Sequence, residues 1–215
     1  MNTNEAKTLL AAAGVDKSYG QRQVLRDIHL RVREGQIVGI CGENGAGKST
    51  LLRILMGLLQ PDAGTVECRA AKGYCPQQLQ LFDQLTVDEH FAYYARAYGG
   101  ALMNPGVRNR RIEELRDLLR MRSVNGQQVR QLSGGTQQKL NLALAMLHDP
   151  PLLILDEPYS GFDWETYLQF WAVAADLRER RKGILIVSHL VYDRSQFDLI
   201  CTLENGGLTC SPQDS

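Results

Sequence analysis

Gly42-Glu-Asn-Gly-Ala-Gly-Lys-Ser49 has the spacing of a phosphate-binding loop, and this motif is the strongest indication of the fold of the chain. An apolar run, Gln36–Cys41, precedes it and indicates a buried strand. The apolar residues of Thr50–Met56, directly after it, recur at helical spacing. A glycine-rich turn between a strand and the start of a helix is the context that supports a nucleotide site.

This loop supplies the chemistry that nucleotide phosphates require. Its glycines let backbone N–H groups turn inward, and the helix N-terminus adds partial positive charge. We expect Lys48 to reach the β- and γ-phosphates and Ser49 to bind Mg²⁺. The candidate nucleotide-binding residues in and beside the loop are Gly42, Asn44, Gly45, Ala46, Gly47, Lys48, Ser49 and Thr50.

Size and charge restrict the functional classes. The 215 residues predict one domain, residues 1–215, with room for a subdomain. The 24 basic and 24 acidic residues balance, so there is no electrostatic indication of a nucleic-acid partner. No apolar run is long enough to span a bilayer, and the polar start Met1–Thr8 lacks the apolar centre of a secretion signal.

The cysteines are five and widely spaced, with no CxxC pair among them. Such a set favours reduced thiols in the cytoplasm over a disulfide framework or a zinc site. The residues are Cys41, Cys68, Cys75, Cys201 and Cys210.

The first and middle parts of the chain differ in pattern. Leu9–Val15 is apolar and Ile28–Arg33 alternates apolar and polar residues, which predicts an N-terminal antiparallel β subdomain. The stretch from about 78 to 131, together with the start of the helix that follows Leu132-Ser-Gly-Gly135, reads as an inserted helical subdomain. In it, Thr86–Tyr98 begins with a capping box, and Arg110–Met121 has an apolar face.

The remaining part returns to alternating elements. Leu140–Leu147 and Trp164–Arg181 read as helices, and Leu152–Leu155 and Gly183–Val187 read as buried strands. This order predicts an α/β fold in which a phosphate-loop NTPase core has a mostly parallel sheet covered by helices. Ligands of such sheets bind beyond the carboxyl ends of the strands.

Three polar side chains follow those strand ends. Asp156 closes one buried strand and is a candidate Mg²⁺ ligand, and Glu157 beside it is the candidate general base for water. His189 follows the next strand, so we expect it at the same sheet edge, within reach of the γ-phosphate.

Further motifs occur in a fixed order along the chain. They are Tyr19 in Lys-Ser-Tyr-Gly, Gln77 in Gly-Tyr-Cys-Pro-Gln, Leu132-Ser-Gly-Gly135 and Ser160-Gly-Phe-Asp163. With the loop and the strand-end residues, they resemble the ATP-binding subunits of ABC transporters over about Leu9 to Gly207. Leu-Ser-Gly-Gly between the helical insertion and the acidic pair is the most specific match.

The resemblance implies a role for each matching residue. Tyr19 would stack on adenine, and Gln77 would sense both Mg²⁺ and a membrane partner. Ser49, Gln77 and Asp156 would form the metal site. The catalytic residues would be Glu157, His189, Lys48 and Gln77.

The resemblance also implies a dimer in which two ATP molecules lie between two ATPase domains, either identical or closely related. Ser133, Gly134, Gly135 and Asp163 would meet the nucleotide of the opposite domain. Binding of ATP would close this sandwich, and hydrolysis would open it. Integral membrane subunits would receive the motion, which places the chain on the inner face of the cell membrane.

Two departures from the family pattern are visible. Thr136 stands where many relatives have glutamine, at a place that varies among them. The chain also ends soon after Gly207, so we expect none of the regulatory C-terminal domains of some importer ATPases.

Several functions remain open at this point. Leu85–Glu89 and Tyr93–Gly99 look more like two-component exporters of drugs, antibiotics or bacteriocins than like importers. An importer ATPase and a non-transport ATPase, such as an iron–sulfur assembly factor, remain alternatives. A GTPase is disfavoured because no Asn-Lys-x-Asp stretch occurs, and a kinase has no use for the Leu-Ser-Gly-Gly element.

Overall fold

The structure is a computed structural model that describes residues 6–189 and 193–213. The first five residues of the polar start Met1–Thr8 therefore lie outside the described residues. The strands are β1 (Thr8–Tyr19), β2 (Arg22–Arg33), β3 (Ile37–Cys41), β4 (Ala63–Cys68), β5 (Lys72–Cys75), β6 (Leu152–Asp156), β7 (Gly183–Ser188), β8 (Leu199–Glu204) and β9 (Gly207–Pro212). The α-helices are α1 (Lys48–Leu55), α2 (Val87–Tyr98), α3 (Pro105–Leu118), α4 (Gly134–Met146) and α5 (Trp164–Glu179).

The strands form two sheets. The first has the order β2-β1-β4 and is antiparallel throughout. The second has the order β5-β6-β7-β3-β8-β9, and it is parallel except for the last pair. The predicted fold class, with its N-terminal antiparallel sheet and its mostly parallel core sheet, is confirmed.

The central strands are buried on both faces, which explains their nearly continuous apolar sequences. Along β6, Leu153 and Leu155 pack into the apolar cluster that contains α4 and α5. Leu152 and Ile154 pack on the opposite face, in the cluster that contains α1 and the first sheet. This alternation follows from the two-residue repeat of a strand. The sheet is therefore covered on both faces.

The inserted helices begin at residues that cap them. Thr86 Oγ1 accepts a hydrogen bond from the Glu89 backbone N–H (3.2 Å), and Glu89 accepts one from the Thr86 N–H (2.7 Å). The predicted capping box of α2 is therefore present. Helix α3 begins at Pro105, five residues before the predicted start, since Asn104 caps it and proline suits a first helical position.

The antiparallel hairpin β8–β9 was not predicted, and it corrects the expectation for the cysteines. Cys201 and Cys210 face each other in its register, and their sulfur atoms form a disulfide. The expectation that all five thiols are reduced is wrong for this pair. The two cysteines are nine positions apart in the sequence, and the chain turns between them at Asn205, which has a positive φ.

The other cysteines, Cys41, Cys68 and Cys75, are free thiols. Within the described ranges, none of the helices combines the length and apolar character needed to cross a membrane.

Candidate functional site

The carboxyl ends of β3, β6 and β7 meet at one edge of the core sheet. Cys41 at the end of β3 pairs with Ser188 at the end of β7, and Asp156 at the end of β6 pairs with Val187. This register places Gly42, Glu157 and His189 directly beyond one edge. The prediction from strand order therefore agrees with the observed topology.

Close packing explains why the loop after β3 contains glycine. A Cβ on Gly47 would lie 2.9 Å from Val24 Cγ1, and the φ of Gly47 is 107°. A Cβ on Gly42 would lie 2.5 Å from the carbonyl oxygen of Leu203. Larger residues would push the loop away from β2 and β8, so the glycines hold it at the sheet edge.

Lys48 is folded back over its own loop. Its Nζ donates to the carbonyl oxygens of Gly42 (2.6 Å) and Glu43 (3.0 Å). Among the described residues, no side chain caps the N-terminus of α1, whose N-cap is Gly47. The first N–H groups of α1 and the ammonium group therefore face a region where anionic oxygens are favoured.

A cavity of about 470 Å³ lies at this edge and brings most of the predicted site residues together. Its lining comes from the loop, from β2, from the segment after β5 and from the ends of β6 and β7. Predicted residues in this lining are Asn44, Gly45, Gly47, Lys48, Ser49, Thr50, Gln77, Asp156, Glu157 and His189.

The Asp156 carboxyl has an altered acidity. Burial raises its pKa to about 6, the neighbouring negative charge of Glu157 adds to the increase, and Lys48 opposes it. A cation bound in the cavity next to Asp156 would stabilise the ionised form of this carboxyl and lower its pKa. Within the part of the chain that the structure describes, no cluster of three or more His, Cys, Asp or Glu residues suits a metal ion.

Glu157 is buried and its carboxylate is held from several directions. Its Oε1 accepts hydrogen bonds from the backbone N–H of His189 (2.6 Å), and it lies 2.8 Å from His189 Nδ1. Its Oε2 accepts one from the Ser188 hydroxyl (3.0 Å). The φ of Glu157 is 50°, which turns the chain sharply after β6. These contacts fix the carboxylate at the rim of the cavity.

Gln77 is positioned by helix α4. The Asn141 side chain donates to the carbonyl oxygen of Pro76 (3.0 Å) and to Cys75 Sγ (3.2 Å). Because Asn141 is buried, this pair of bonds ties the segment after β5 to α4. Exposed Gln77 is thereby presented to the cavity.

Other predicted residues lie outside this cavity. Tyr19, half exposed at the end of β1, faces Arg22 across the hairpin. Ala46 lines an adjoining cavity of about 580 Å³ on the other side of the loop. Gly42 packs on β8, as described above. Asp163 lines a third cavity, of about 430 Å³, beyond Glu157.

The Ser133–Gly135 segment starts α4 and is separate from the cavity in the described chain. Ser133 Oγ accepts a hydrogen bond from the Thr136 N–H (3.3 Å) and lies 2.9 Å from Thr136 Oγ1. Thr136, the departure from the family pattern, thus contributes a second contact to the capping serine. Added Cβ atoms on Gly134 and Gly135 would meet nothing within 4 Å. This surface is open within one copy of the chain.

Sequence reasoning missed Arg22 and Val24, which line the cavity from β2. Arg22 pairs with the predicted nucleotide-binding residue Tyr19 across the β1–β2 turn. This closeness in sequence was the one indication that the start of β2 lies near the site. The long β2 strand carries Arg22 and Val24 over the loop, and no local motif marks such a contact.

Comparison with known proteins agrees with this geometry. A family model described as "ABC transporter" matches residues 25–160. A solved structure titled as the ATP-binding subunit of an ABC transporter matches with a TM-score of 0.87 and 28% identity, covering 96% of this chain and 91% of that one. A dimeric bacterial ABC transporter cassette matches with a TM-score of 0.84 and 26% identity, covering 96% and 99%.

Curated relatives include both directions of transport. Nod factor export ATP-binding protein I of Rhizobium etli is 33% identical over 212 residues, which is 93% of this chain and 66% of that protein. The zinc import ATP-binding protein ZnuC of Paramagnetospirillum magneticum is 40% identical over 185 residues, 85% of this chain and 68% of that protein. This chain therefore spans about two thirds of such relatives.

The chain belongs to the ABC transporter family. The expected resemblance to the family's ATP-binding subunits is confirmed.

Proposed function

We propose that this chain, as a member of the ABC transporter family, binds and hydrolyses ATP in the cavity beside the loop after β3. The observation that carries the proposal is the meeting of Lys48, Asp156 and Glu157 in one cavity at the end of a phosphate-binding loop. Phosphate release from ATP by the purified full chain tests it. Release that requires Mg²⁺ supports the proposal, and none at any protein concentration, with or without membranes, contradicts it.

Phosphate and magnesium would be held by different parts of this site. The free N–H groups at the start of α1 and the ammonium of Lys48 suit phosphate oxygens. The Ser49 hydroxyl, the Gln77 amide oxygen and the Asp156 carboxylate are hard oxygen ligands of the type that Mg²⁺ prefers. When bound, Mg²⁺ would neutralise charge on the phosphates. Tyr19 would stack on adenine, and Arg22 adjoins that position.

Glu157 would act as the general base. Its carboxylate lies at the cavity rim, where it can accept a proton from a water that attacks the γ-phosphate. His189, in contact with Glu157, would orient that water and the phosphate. The three contacts to Glu157 come from the Ser188 hydroxyl, the His189 backbone N–H and the His189 ring. A carboxylate has about four acceptor positions, so one remains for the attacking water.

A second copy of the chain, or a close relative, would complete the site. Ser133, Gly134 and Gly135 form an exposed helix start that suits the γ-phosphate of another copy. The similar solved cassette is dimeric, and a second structure of the same cassette is a dimer bound to ADP and Pi. ATP would thus hold two copies together, and hydrolysis would release them.

The membrane partner would bind near Gln77 and the inserted helices, on the inner face of the cell membrane. Exposed Phe82 and Tyr93 lie in this region and form an edge-to-face pair (5.6 Å between ring centroids). Purification of a tagged chain from gently solubilised membranes tests this assignment. A stoichiometric multi-span protein supports a transporter, and recovery with soluble partners alone favours a non-transport ATPase such as an iron–sulfur assembly factor.

Export is the proposed direction, because most of the similar curated relatives described are named for Nod factor export. Import is the second candidate, since a relative named for zinc import is 40% identical. Efflux and uptake assays on cells that lack this chain distinguish the two. Loss of efflux supports export, and loss of uptake supports import.

A further inference from the structure

The first turns of α5 carry an exposed apolar ridge, formed by Trp164, Leu168 and Ala172. These residues are four apart, so they lie on one face of the helix. Trp164 is 71% exposed and Leu168 is 50% exposed. Trp164 has the largest exposed fraction among the large apolar side chains in the described residues. The ridge is therefore the part of α5 with the most apolar surface left to bury.

The ridge is held in place by local contacts. Asp163 caps α5, since its Oδ1 accepts a hydrogen bond from the Thr166 N–H (2.8 Å). The Trp164 ring stacks on Tyr167, with ring centroids 5.5 Å apart and planes 19° apart. A side chain that is already ordered loses little conformational freedom when a partner covers it.

The ridge is continuous with the proposed active site. The cavity of about 430 Å³ beyond Glu157 has Trp164, Asp163 and Tyr167 on one side. Glu157 and His189, on its other side, also line the nucleotide cavity. A molecule that covers the open edge of the nucleotide site therefore also approaches Trp164.

We propose that the ridge packs against a second copy of this chain when two ATP-loaded copies close. This inference rests on the proposed function, which brings a second copy to the same edge. It adds a contact that lies outside the residues expected to touch nucleotide. An ion pair between Arg120 and Glu165 (3.2 Å), both exposed, lies beside the ridge and supplies a polar rim. An aromatic centre with a polar rim is typical of the energetically important part of an interface.

A second copy fits the ridge better than a membrane subunit does. The membrane subunit is assigned to Gln77 and the inserted helices, where Phe82 and Tyr93 provide a separate exposed aromatic pair. The ridge instead adjoins the cavity that shares Glu157 and His189 with the nucleotide cavity, at the edge that the proposed function covers with a second copy. Burial of Trp164 in the closed dimer is the expected consequence.

Tryptophan fluorescence tests this burial in the full chain. The sequence has only two tryptophans, Trp164 and Trp171. Trp171→Phe leaves Trp164 as the single reporter, and the Trp171 Nε1 is buried without a hydrogen-bond partner among the described residues, so phenylalanine loses no such bond. Glu157→Gln is added to prevent turnover. Emission and light scattering are then recorded with and without ATP and Mg²⁺.

We expect Trp164 emission to shift to the blue when ATP and Mg²⁺ are added. The size of the shift should rise with the fraction of dimer that light scattering measures. In the Glu157→Gln background, Trp164→Ala should weaken the dimer by about tenfold or more. Tyr93→Ala is the matched control, because it removes another exposed aromatic ring, and it should leave dimer affinity unchanged.

Two results overturn the inference in distinguishable ways. If the dimer forms but Trp164 emission stays unshifted and Trp164→Ala dimerises normally, the ridge has another partner and the proposed function stands. If ATP binds but no dimer forms, the sandwich itself fails, and the inference fails with it.

Discussion

Two helix N-termini in this chain are suited to phosphate, and they are prepared differently. At the start of α1, Gly47 offers no side chain to the first N–H groups, and Lys48 and the ends of β6 and β7 surround the same space. At the start of α4, Ser133 satisfies the Thr136 N–H, and the surface beyond is open. This difference supports the proposal that the start of α1 binds nucleotide within one copy, whereas the start of α4 contacts nucleotide bound by a second copy.

Glu157→Gln should have the largest effect and should separate binding from hydrolysis. The amide cannot accept a proton from water, so we expect hydrolysis to fall by about 10³-fold. ATP should still bind and should hold two copies together. Phosphate release and light scattering measure the two effects.

The matched control is Glu67→Gln, an exposed carboxylate on β4, which should hydrolyse ATP at the wild-type rate. If Glu157→Gln hydrolysed ATP at nearly the wild-type rate, the assignment of Glu157 as the general base would be wrong.

Lys48→Ala should impair ATP binding at the start of α1, whereas Glu157→Gln should impair hydrolysis. Loss of the ammonium should weaken ATP binding by about a hundredfold, because charge-assisted bonds to phosphate are strong. Lys72→Ala is the control, since Lys72 also donates to a backbone carbonyl, that of Met56 (3.2 Å), outside the cavity. Titration with a fluorescent ATP analogue measures both. Equal affinity in the two variants would contradict the assignment of the loop.

Gly135→Asp should impair only the second helix end. A carboxylate at the start of α4 would repel the γ-phosphate of the other copy, and the added Cβ meets nothing within 4 Å in its own chain. We expect ATP affinity within about twofold of wild type and hydrolysis lowered at least about tenfold. Gly135→Ala adds bulk without charge and should retain more activity. If monomers of Gly135→Asp bound ATP more weakly than wild-type monomers, Gly135 would have to contact the nucleotide bound by its own chain, which contradicts the assignment.

The pH dependence of metal binding should give the smallest effect. The pKa of Asp156 is raised to about 6, so this carboxyl becomes protonated as pH falls through 6. Mg²⁺ affinity in the presence of a non-hydrolysable ATP analogue should fall by about tenfold from pH 7 to pH 5. Calorimetry measures it. In Asp156→Asn, the part of the pH dependence of Mg²⁺ affinity that comes from this carboxyl should disappear. The same pH dependence in that variant would refute the assignment to Asp156.

The sequence predicts the phosphate side of the site better than its surroundings. Gly42–Ser49, Asp156 and His189 follow strands, and parallel strand order alone places them at one edge. Arg22 and Val24 were missed because they reach the cavity from a strand that is distant in sequence. Contacts between segments far apart in the sequence depend on strand register, which no short motif encodes. The Cys201–Cys210 disulfide is local, and it was missed for a different reason, because the hairpin that pairs the two cysteines was not predicted.

The central claim, that two copies complete each site, has a direct test in a mixture of Lys48→Ala and Gly135→Asp chains. In a mixed dimer, one site combines the intact loop of the Gly135→Asp copy with the intact Ser133–Gly135 segment of the Lys48→Ala copy. We expect each variant alone to be nearly inactive. Mixing the two should restore hydrolysis at one site of each mixed dimer, at a rate that rises with the product of the two concentrations. A mixture that hydrolyses ATP no faster than the sum of its separate components, at concentrations where the wild type is active, would contradict it.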